Sequence, residues 1–222
     1  MTPVITSLTV GTYKTVRNIL TEFFFGLRWG DYGRYPTVIV KDKRKAIKDS
    51  IQQPLGITLS ESPQMERMYA VKIRAPARTI FEELAKFGED RAKFLRLRFV
   101  DVKRREGRPN HVGAVVTYRL KFSPIAMDLR LIQAVPDKTL LYEPEELFTT
   151  DGILLFDISP TKDGNHRLVV YTAFDFKKGK SLMGRAFFSL FKHLFPDFAH
   201  DVVWNHALCT IKAEAETSVI NR

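Results

Sequence analysis

The chain has one cysteine, Cys209, in 222 residues. An intramolecular disulfide and a cysteine-based metal cluster are therefore excluded. Cys209 sits among Ala207, Leu208 and Ile211, so a buried, inert thiol is expected, and a chain without disulfides suits the reducing cytoplasm. No stretch of about 18 consecutive apolar residues occurs, so no membrane-spanning helix is expected. No signal peptide is expected either, because Lys14 and Arg17 follow the first apolar residues and no apolar run comes after them. A glycine-rich phosphate loop and a Gly-x-Ser-x-Gly nucleophile elbow are also missing. No two of the five histidines stand four apart. His193 and His200 could share a helix face, but no further histidine converges on them, so no metal and no cofactor is expected.

What the chain has in excess is positive charge: 35 Lys and Arg against 25 Asp and Glu give a net charge of +10 and a pI near 9.7. Such a balance favours an anionic partner. Five cations fall between positions 41 and 48, and residues 91–108 hold eight cations and two acids. Nucleic-acid binding would need such a patch interleaved with exposed aromatics. Phe94 and Phe99 read equally well as core, so nucleic acid is disfavoured and an anionic membrane surface is retained as a partner. The expected location is cytoplasmic, at the membrane periphery. The oligomeric state stays open. Hydrophobic and charged fractions of 45% and 27% are those of a globular chain with a sizeable core.

Apolar periodicity divides the chain. Residues 12–27 are amphipathic at helical spacing, with Val16, Ile19, Leu20, Phe23, Phe24 and Leu27 on one face. This stretch suits docking on the protein's own domain, a dimer contact or lying in a membrane surface. A Gly- and aromatic-rich loop, a short strand at 37–41, the 41–48 cations and a Pro- and Gly-containing linker at 52–64 follow. The compact domain is expected to begin near Glu66. "MYAVKIRA" alternates as a strand, and Pro76 suits the start of a helix whose inner face holds Ile80, Phe81 and Leu84. A second short helix fits 88–95. Strand-like runs at 97–105, 112–122, 126–135, 138–143, 152–159 and 166–176, separated by turn residues, make seven strands with 68–75 and suit an antiparallel meander. Alternation puts Ala114, Val116, Tyr118, Leu120 and Phe122 on one side of their strand, Leu154, Phe156 and Ile158 on one side of theirs, and Leu168, Val170, Thr172, Phe174 and Phe176 likewise. A long helix is expected over 181–216, kinked or divided at Pro196.

Three segments carry a family likeness. "VKIRAPARTIFEEL" looks like an opening strand and helix, "AVPDKTLLYEP" like a mid-sheet hairpin, and "ISPTKDGNHRLVVYTAFDF" like a late hairpin. In this order, and followed by a long C-terminal helix, they resemble the START-like or SRPBCC superfamily of polyketide cyclase/dehydrase and lipid-transport proteins, over residues 66–216. The resemblance implies an α+β helix-grip fold: a curved antiparallel sheet of about seven strands wrapped around the C-terminal helix. It divides the chain into an N-terminal extension with an amphipathic helix and basic linker (1–65), a START-like ligand-binding domain (66–216) and a tail (217–222). It also implies a cavity between sheet and helix that takes a hydrophobic small molecule, such as a lipid, an isoprenoid or a polyketide-like compound. By position, the lining would draw on Tyr118, Phe122, Leu131, Tyr142, Phe156, Phe174, Phe187, Phe191, Leu194 and Trp204.

Aromatics at strand or helix spacing are as a rule core, so the set carries more weight than its members. A general acid–base pair would need His200 or Asp197 to reach Tyr118 or Tyr142 inside the cavity. With no catalytic motif present, no catalytic residue is assigned and a binding protein is favoured. The alternative is a cyclase/dehydrase-type enzyme acting on an aromatic or polyketide-like substrate.

Overall fold

The computed structural model describes residues 37–39, 41–59, 63–121, 126–145, 149–176 and 197–220, with single positions and short pieces between 15 and 31. Its centre is an antiparallel sheet of seven strands: β1 (Met65–Ile73), β2 (Val100–Glu106), β3 (Val115–Leu120), β4 (Ala126–Val135), β5 (Thr139–Pro144), β6 (Thr149–Pro160) and β7 (His166–Phe176). The strand order is β1-β7-β6-β5-β4-β3-β2. Strands β2 to β7 are thus a meander in which each strand pairs with the next, and β1 closes on β7 across the whole chain. Helix α1 spans Lys41–Leu55, α2 Ala77–Ala85 and α3 Asp197–Ile220, and Lys93–Leu95 form a 3-10 turn. This is an α+β helix-grip arrangement.

The inner sheet face is the one the alternation predicts. Ala114, Val116, Leu154, Phe156, Ile158, Leu168 and Val170 are buried in one cluster. Tyr69 and Ile73 of β1, Ile80 and Leu84 of α2, and Trp204, Ala207, Leu208, Ile211 and Ala215 of α3 complete it. Burial of each large apolar side chain contributes about 1.5–3 kcal/mol, so this layer dominates the fold's stability. Polar contacts fix where α3 lies. The Tyr69 hydroxyl donates to Asp201 Oδ1 at 2.9 Å, Arg67 Nε lies 3.3 Å from the same oxygen, and the Arg74 amide donates to Glu216 Oε1 at 2.8 Å. Both ends of the helix are therefore tied to β1 and its exit.

The outer sheet face is apolar too, which the sequence reading did not anticipate. Met68, Leu141, Leu155, Val169 and Tyr171 alternate with the inner residues and are buried with Ile51 and Leu59, against which Ile47 and Leu55 pack. The segment expected as a basic linker is thus in part α1, seated on this face. Its stripe Ile47, Ile51, Leu55 recurs every fourth residue, while Lys41, Lys43 and Lys45 are exposed. Gly56, at φ +63°, ends the helix in the left-handed conformation that a helix C-terminus commonly uses. The strand expected at 37–41 is reduced to one bridge, Val38 to Tyr69 on the edge of β1. The helix expected at 88–95 is only the 3-10 turn, which buries Phe94 and Leu95. The described part of the long helix spans Asp197–Ile220, and the part of it expected before Pro196 lies outside the described residues.

An ionic cluster fastens α1 to the sheet. Glu66 accepts hydrogen bonds from Lys48 Nζ at 2.9 Å, Arg44 Nη1 at 3.2 Å and the Tyr171 hydroxyl at 2.9 Å. Burial opposes ionisation of Glu66, but the hydrogen bonds from Lys48 and Tyr171 and the charges of Lys48 and Arg44 outweigh it and hold the carboxyl below its usual range. Side-chain exposures of 20% for Glu66, 16% for Arg44 and 14% for Lys48 mean that solvent screens these charges only in part. Glu66→Gln leaves two half-buried cations without a counter-charge and is expected to lower stability by about 2 kcal/mol at pH 7. A depressed carboxylate pKa stabilises the fold above the unfolded value, about 4.3, and that contribution is lost as pH falls through the folded value. Urea denaturation across pH 2–7 should therefore show the two proteins converging at acid pH. A constant gap at every pH contradicts this.

Candidate ligand-binding cavity

Between the inner sheet face and the start of α3 the packing leaves a cavity of about 180 Å³, partly open to solvent. Among the described residues, β3 contributes Tyr118, β4 Met127 and Leu129, β5 Pro144, β6 Ile153 and Leu154, and β7 Thr172, Ala173 and Phe174. Leu95, Leu97 and Val100 close one side, and His200, Val203 and Trp204 of α3 form the roof. The register of β6 on β7 shifts between Thr150 and Ile153, beside the lining residues Ile153, Ala173 and Phe174.

Phe25 supplies a further wall from the N-terminal region. It is buried with Leu27 against Leu97 and Val202, and its carbonyl accepts the Arg98 amide at 3.1 Å. The amphipathic face expected for residues 12–27 is therefore revised. Ile19 and Phe23, assigned to it, are 60% and 56% exposed, whereas Phe25, left off it, is buried. Gly26 at φ +71° turns the chain immediately after Phe25 and takes Leu27 out of helical register. Positions 16, 20 and 24 lie outside the described residues.

Of the ten side chains expected to line a cavity, Tyr118, Phe174 and Trp204 do so. Leu131, Tyr142 and Phe156 lie beside it in the packed core. Phe122, Phe187, Phe191 and Leu194 fall outside the described residues. Phe87 joins three of the six described residues, and a fourth, Trp204, packs on one of those three. The Phe87 ring centroid is 5.8 Å from Tyr118, 5.3 Å from Tyr142 and 6.0 Å from Phe156, and Phe156 is 5.9 Å from Trp204. Edge and tilted pairs of this kind are favourable beyond their area. Sequence reasoning missed Phe87, which follows α2 in a turn and belongs to no period. It also missed Met127 and Leu129, although both share the strand face of Leu131 and could have been read from it.

The chemistry on this wall is sparse. Burial pushes the Tyr118 phenol far up, and the neighbouring Tyr142 adds to the shift, so Tyr118 stays protonated at any physiological pH. Burial raises Tyr142 likewise. His200 lines the cavity with its ring 6.1 Å from Phe174. Burial lowers the pKa of His206, which favours its neutral imidazole. Asp201, tied to Tyr69 and Arg67, is committed to holding α3. No group of three His, Cys, Asp or Glu that could hold a metal occurs among the described residues. Of the eight cations in 91–108, six pair with the protein's own acceptors: Arg91 with Glu89, Lys93 with Glu214, Arg96 with the Asp90 carbonyl, Lys103 with Asp101, Arg104 with Glu89, and Arg105 with Asp128. Much of that segment's charge is thus already balanced within the chain.

No protein-family profile matches the chain, and no curated protein matches it. Among solved structures it is similar to protein CV1439 from Chromobacterium violaceum, at 14% identity over 68% of this chain and 96% of that one, with a TM-score of 0.48. It is also similar to the Aha1 dimer from Colwellia psychrerythraea, at 13% identity over 69% and 97% of the two chains and a TM-score of 0.42. A protein from Nitrosospira multiformis is similar at 14% identity over 71% and 100%, again with a TM-score of 0.42. At these scores none of the three informs ligand or partner.

Proposed function

We propose that this protein binds a hydrophobic small molecule in the cavity between its sheet and α3, as START-like proteins do, and acts as a carrier or sensor and not as a catalyst. One observation carries the reading: the fold leaves an apolar hollow at the point where α3 crosses the sheet, lined by Leu, Val, Met and aromatic side chains. Pockets that take small ligands are of this kind, mostly apolar with a few polar groups. A hollow of about 180 Å³ exceeds the roughly 150 Å³ that admits benzene in an engineered core. It therefore holds a ring or one end of a longer molecule, whose remainder passes through the open side.

Exposed apolar side chains in the N-terminal region support a membrane surface as the place of loading. Ile19 and Phe23, a few residues before Phe25 in the chain, are exposed, on a chain of net charge +10. Apolar side chains on a basic protein are what an anionic bilayer engages.

Native mass spectrometry of the purified protein, followed by organic extraction, tests the binding function. The expected result is a stoichiometric apolar adduct of one chemical class, released by extraction. An empty protein that also takes up no fluorescent lipid from vesicles contradicts the proposal.

A further inference from the structure

We propose that the surface built from Phe23, Arg98, Phe99 and Lys121 is where the protein docks on an anionic lipid bilayer. This deepens the proposed loading at a membrane and rests on that reading. Contacts bring the four residues together from three parts of the chain. The Phe23 and Phe99 rings lie 5.3 Å apart. The Lys121 amide donates to the Phe99 carbonyl at 2.8 Å, and Lys121 Nζ donates to the Arg98 carbonyl at 3.2 Å. The Arg98 side chain lies against Gly26, where an added Cβ would be 3.4 Å from Arg98 Cβ. Residues 97–100 thus serve both the cavity and the surface. Leu97 and Val100 line the cavity, as Phe25 does, while Arg98 is exposed and Phe99 carries the Phe23 ring. A bilayer engaged here meets the segment that supplies part of the cavity wall.

Ile19 extends the apolar part of this surface. Ile19 and Phe23 are helical positions four apart, hence on one face, and both are exposed. Thr21 and Phe25, also helical and four apart, are buried. One face of this stretch therefore packs on the domain and another presents Ile19 and Phe23 to solvent. The charge around them is positive. Arg98 is exposed and, unlike six of its neighbours in 91–108, its side chain pairs with no acceptor among the described residues. Lys121 bonds only to a carbonyl, which leaves its charge uncompensated. Arg119, opposite Asp101 in the register of β2 on β3, is exposed as well. The nearby acids each face a cation already: Glu22 lies 3.9 Å from Arg28 and Asp101 3.6 Å from Lys103. Apolar side chains set among unmatched cations fit an anionic bilayer, whose acyl boundary takes the former and whose headgroups take the latter. Aliphatic Ile19 has no face on which a base could stack, which favours a bilayer over nucleic acid.

The test is co-sedimentation of the full-length protein with vesicles of phosphatidylcholine alone and with phosphatidylserine added. Two double variants lose the same charge. Arg98→Gln with Lys121→Gln alters this surface, whereas Lys41→Gln with Lys45→Gln alters exposed positions of α1, which packs over β1, β5, β6 and β7 and not over β2. Wild type is expected to bind the phosphatidylserine vesicles and the first variant about thirtyfold more weakly, each cation near an anionic surface being worth roughly a factor of five. The second variant is expected within about twofold of wild type, because screening confines each charge to its surroundings. Phe23→Ser is expected to weaken binding at least tenfold. Ethylbenzene binding, followed by ligand-observed NMR, is expected to be unchanged in all variants, since none of the substituted residues lines the cavity. Equal losses in the two double variants overturn the surface and leave a bilayer held by net charge alone. Equal binding to both kinds of vesicle overturns the anionic bilayer. Single-stranded DNA bound in preference to vesicles, and lost in the first variant, overturns the bilayer in favour of nucleic acid. Wild type that binds neither vesicle overturns membrane loading and this inference together, and its ethylbenzene binding then shows separately whether the cavity function stands.

Discussion

Gly88→Ala is expected to destabilise the protein by about 3 kcal/mol, a large fraction of the stability of a domain this size. Gly88 has φ +80°, and a Cβ there would lie 2.6 Å from the Arg104 backbone nitrogen and 3.1 Å from its Cα. Backbone inside a sheet cannot retreat as a flexible side chain can. Left-handed strain of about 1–2 kcal/mol is therefore joined by loss of the hydrogen bond from the Arg104 amide to the Gly88 carbonyl. The consequence spreads because Arg104 is a hub. Its guanidinium donates to the Ala85 carbonyl at 2.8 Å, the Phe87 carbonyl at 2.9 Å and Glu89 Oε1 at 2.8 Å, and so holds the turn that sets the Phe87 ring in the core. Gly164→Ala is the comparison: φ is +79° there too, but no atom lies within 4 Å of the added carbon. It should cost about 1 kcal/mol. Equilibrium urea unfolding of both variants decides the matter, and equal losses would show that the close approach to Arg104 is of no consequence.

Val203→Trp is expected to reduce binding of any apolar ligand at least tenfold while shifting Tm by only a few degrees. Val203 is half-buried on α3 and faces the cavity, with Phe25, Leu97 and Val202 packed nearby. An indole there grows into existing space, so it need not displace close-packed neighbours, the usual cause of instability on enlarging a core residue. The hollow of about 180 Å³ is small enough that one large side chain leaves no room for a ring-sized ligand. Uptake of a fluorescent lipid by the variant reports the outcome. Undiminished uptake by a folded variant would place the ligand elsewhere.

The strand pattern was legible because turn chemistry and period-2 alternation agree. Pro136-Asp137 and the Lys162 to Asn165 stretch lie at the hairpin turns between β4 and β5 and between β6 and β7, and Phe156 and Leu168 face inward as their spacing requires. What escaped the reading was the second apolar face. "TLLYEP", "GILLFD" and "RLVVYTAF" are nearly continuous apolar runs, the signature of strands covered on both sides. Reading only one side of each hid the surface that α1 covers and left Ile47, Ile51 and Leu55 concealed among cations.

The site was partly legible for a similar reason. Strand position identifies which side chains face inward, and Tyr118 and Phe174 line the cavity together with Trp204 of α3. Strand position does not say which inward residues close against one another. Leu131, Tyr142 and Phe156 lie where α2, Phe87 and α3 meet the sheet tightly, and they fill the core. Phe25 joined the wall because Gly26 turns the chain, a backbone property that apolar periodicity does not carry.

Methyl NMR of the full-length protein titrated with ethylbenzene tests the central claim most directly. Leu95, Leu129, Leu154 and Val203 line the cavity, whereas Leu141, Leu155 and Val169 lie under α1 on the other face of the same sheet. Saturable shifts confined to the first set are predicted. Shifts in the second set, or none in either, would contradict a ligand site between the sheet and α3.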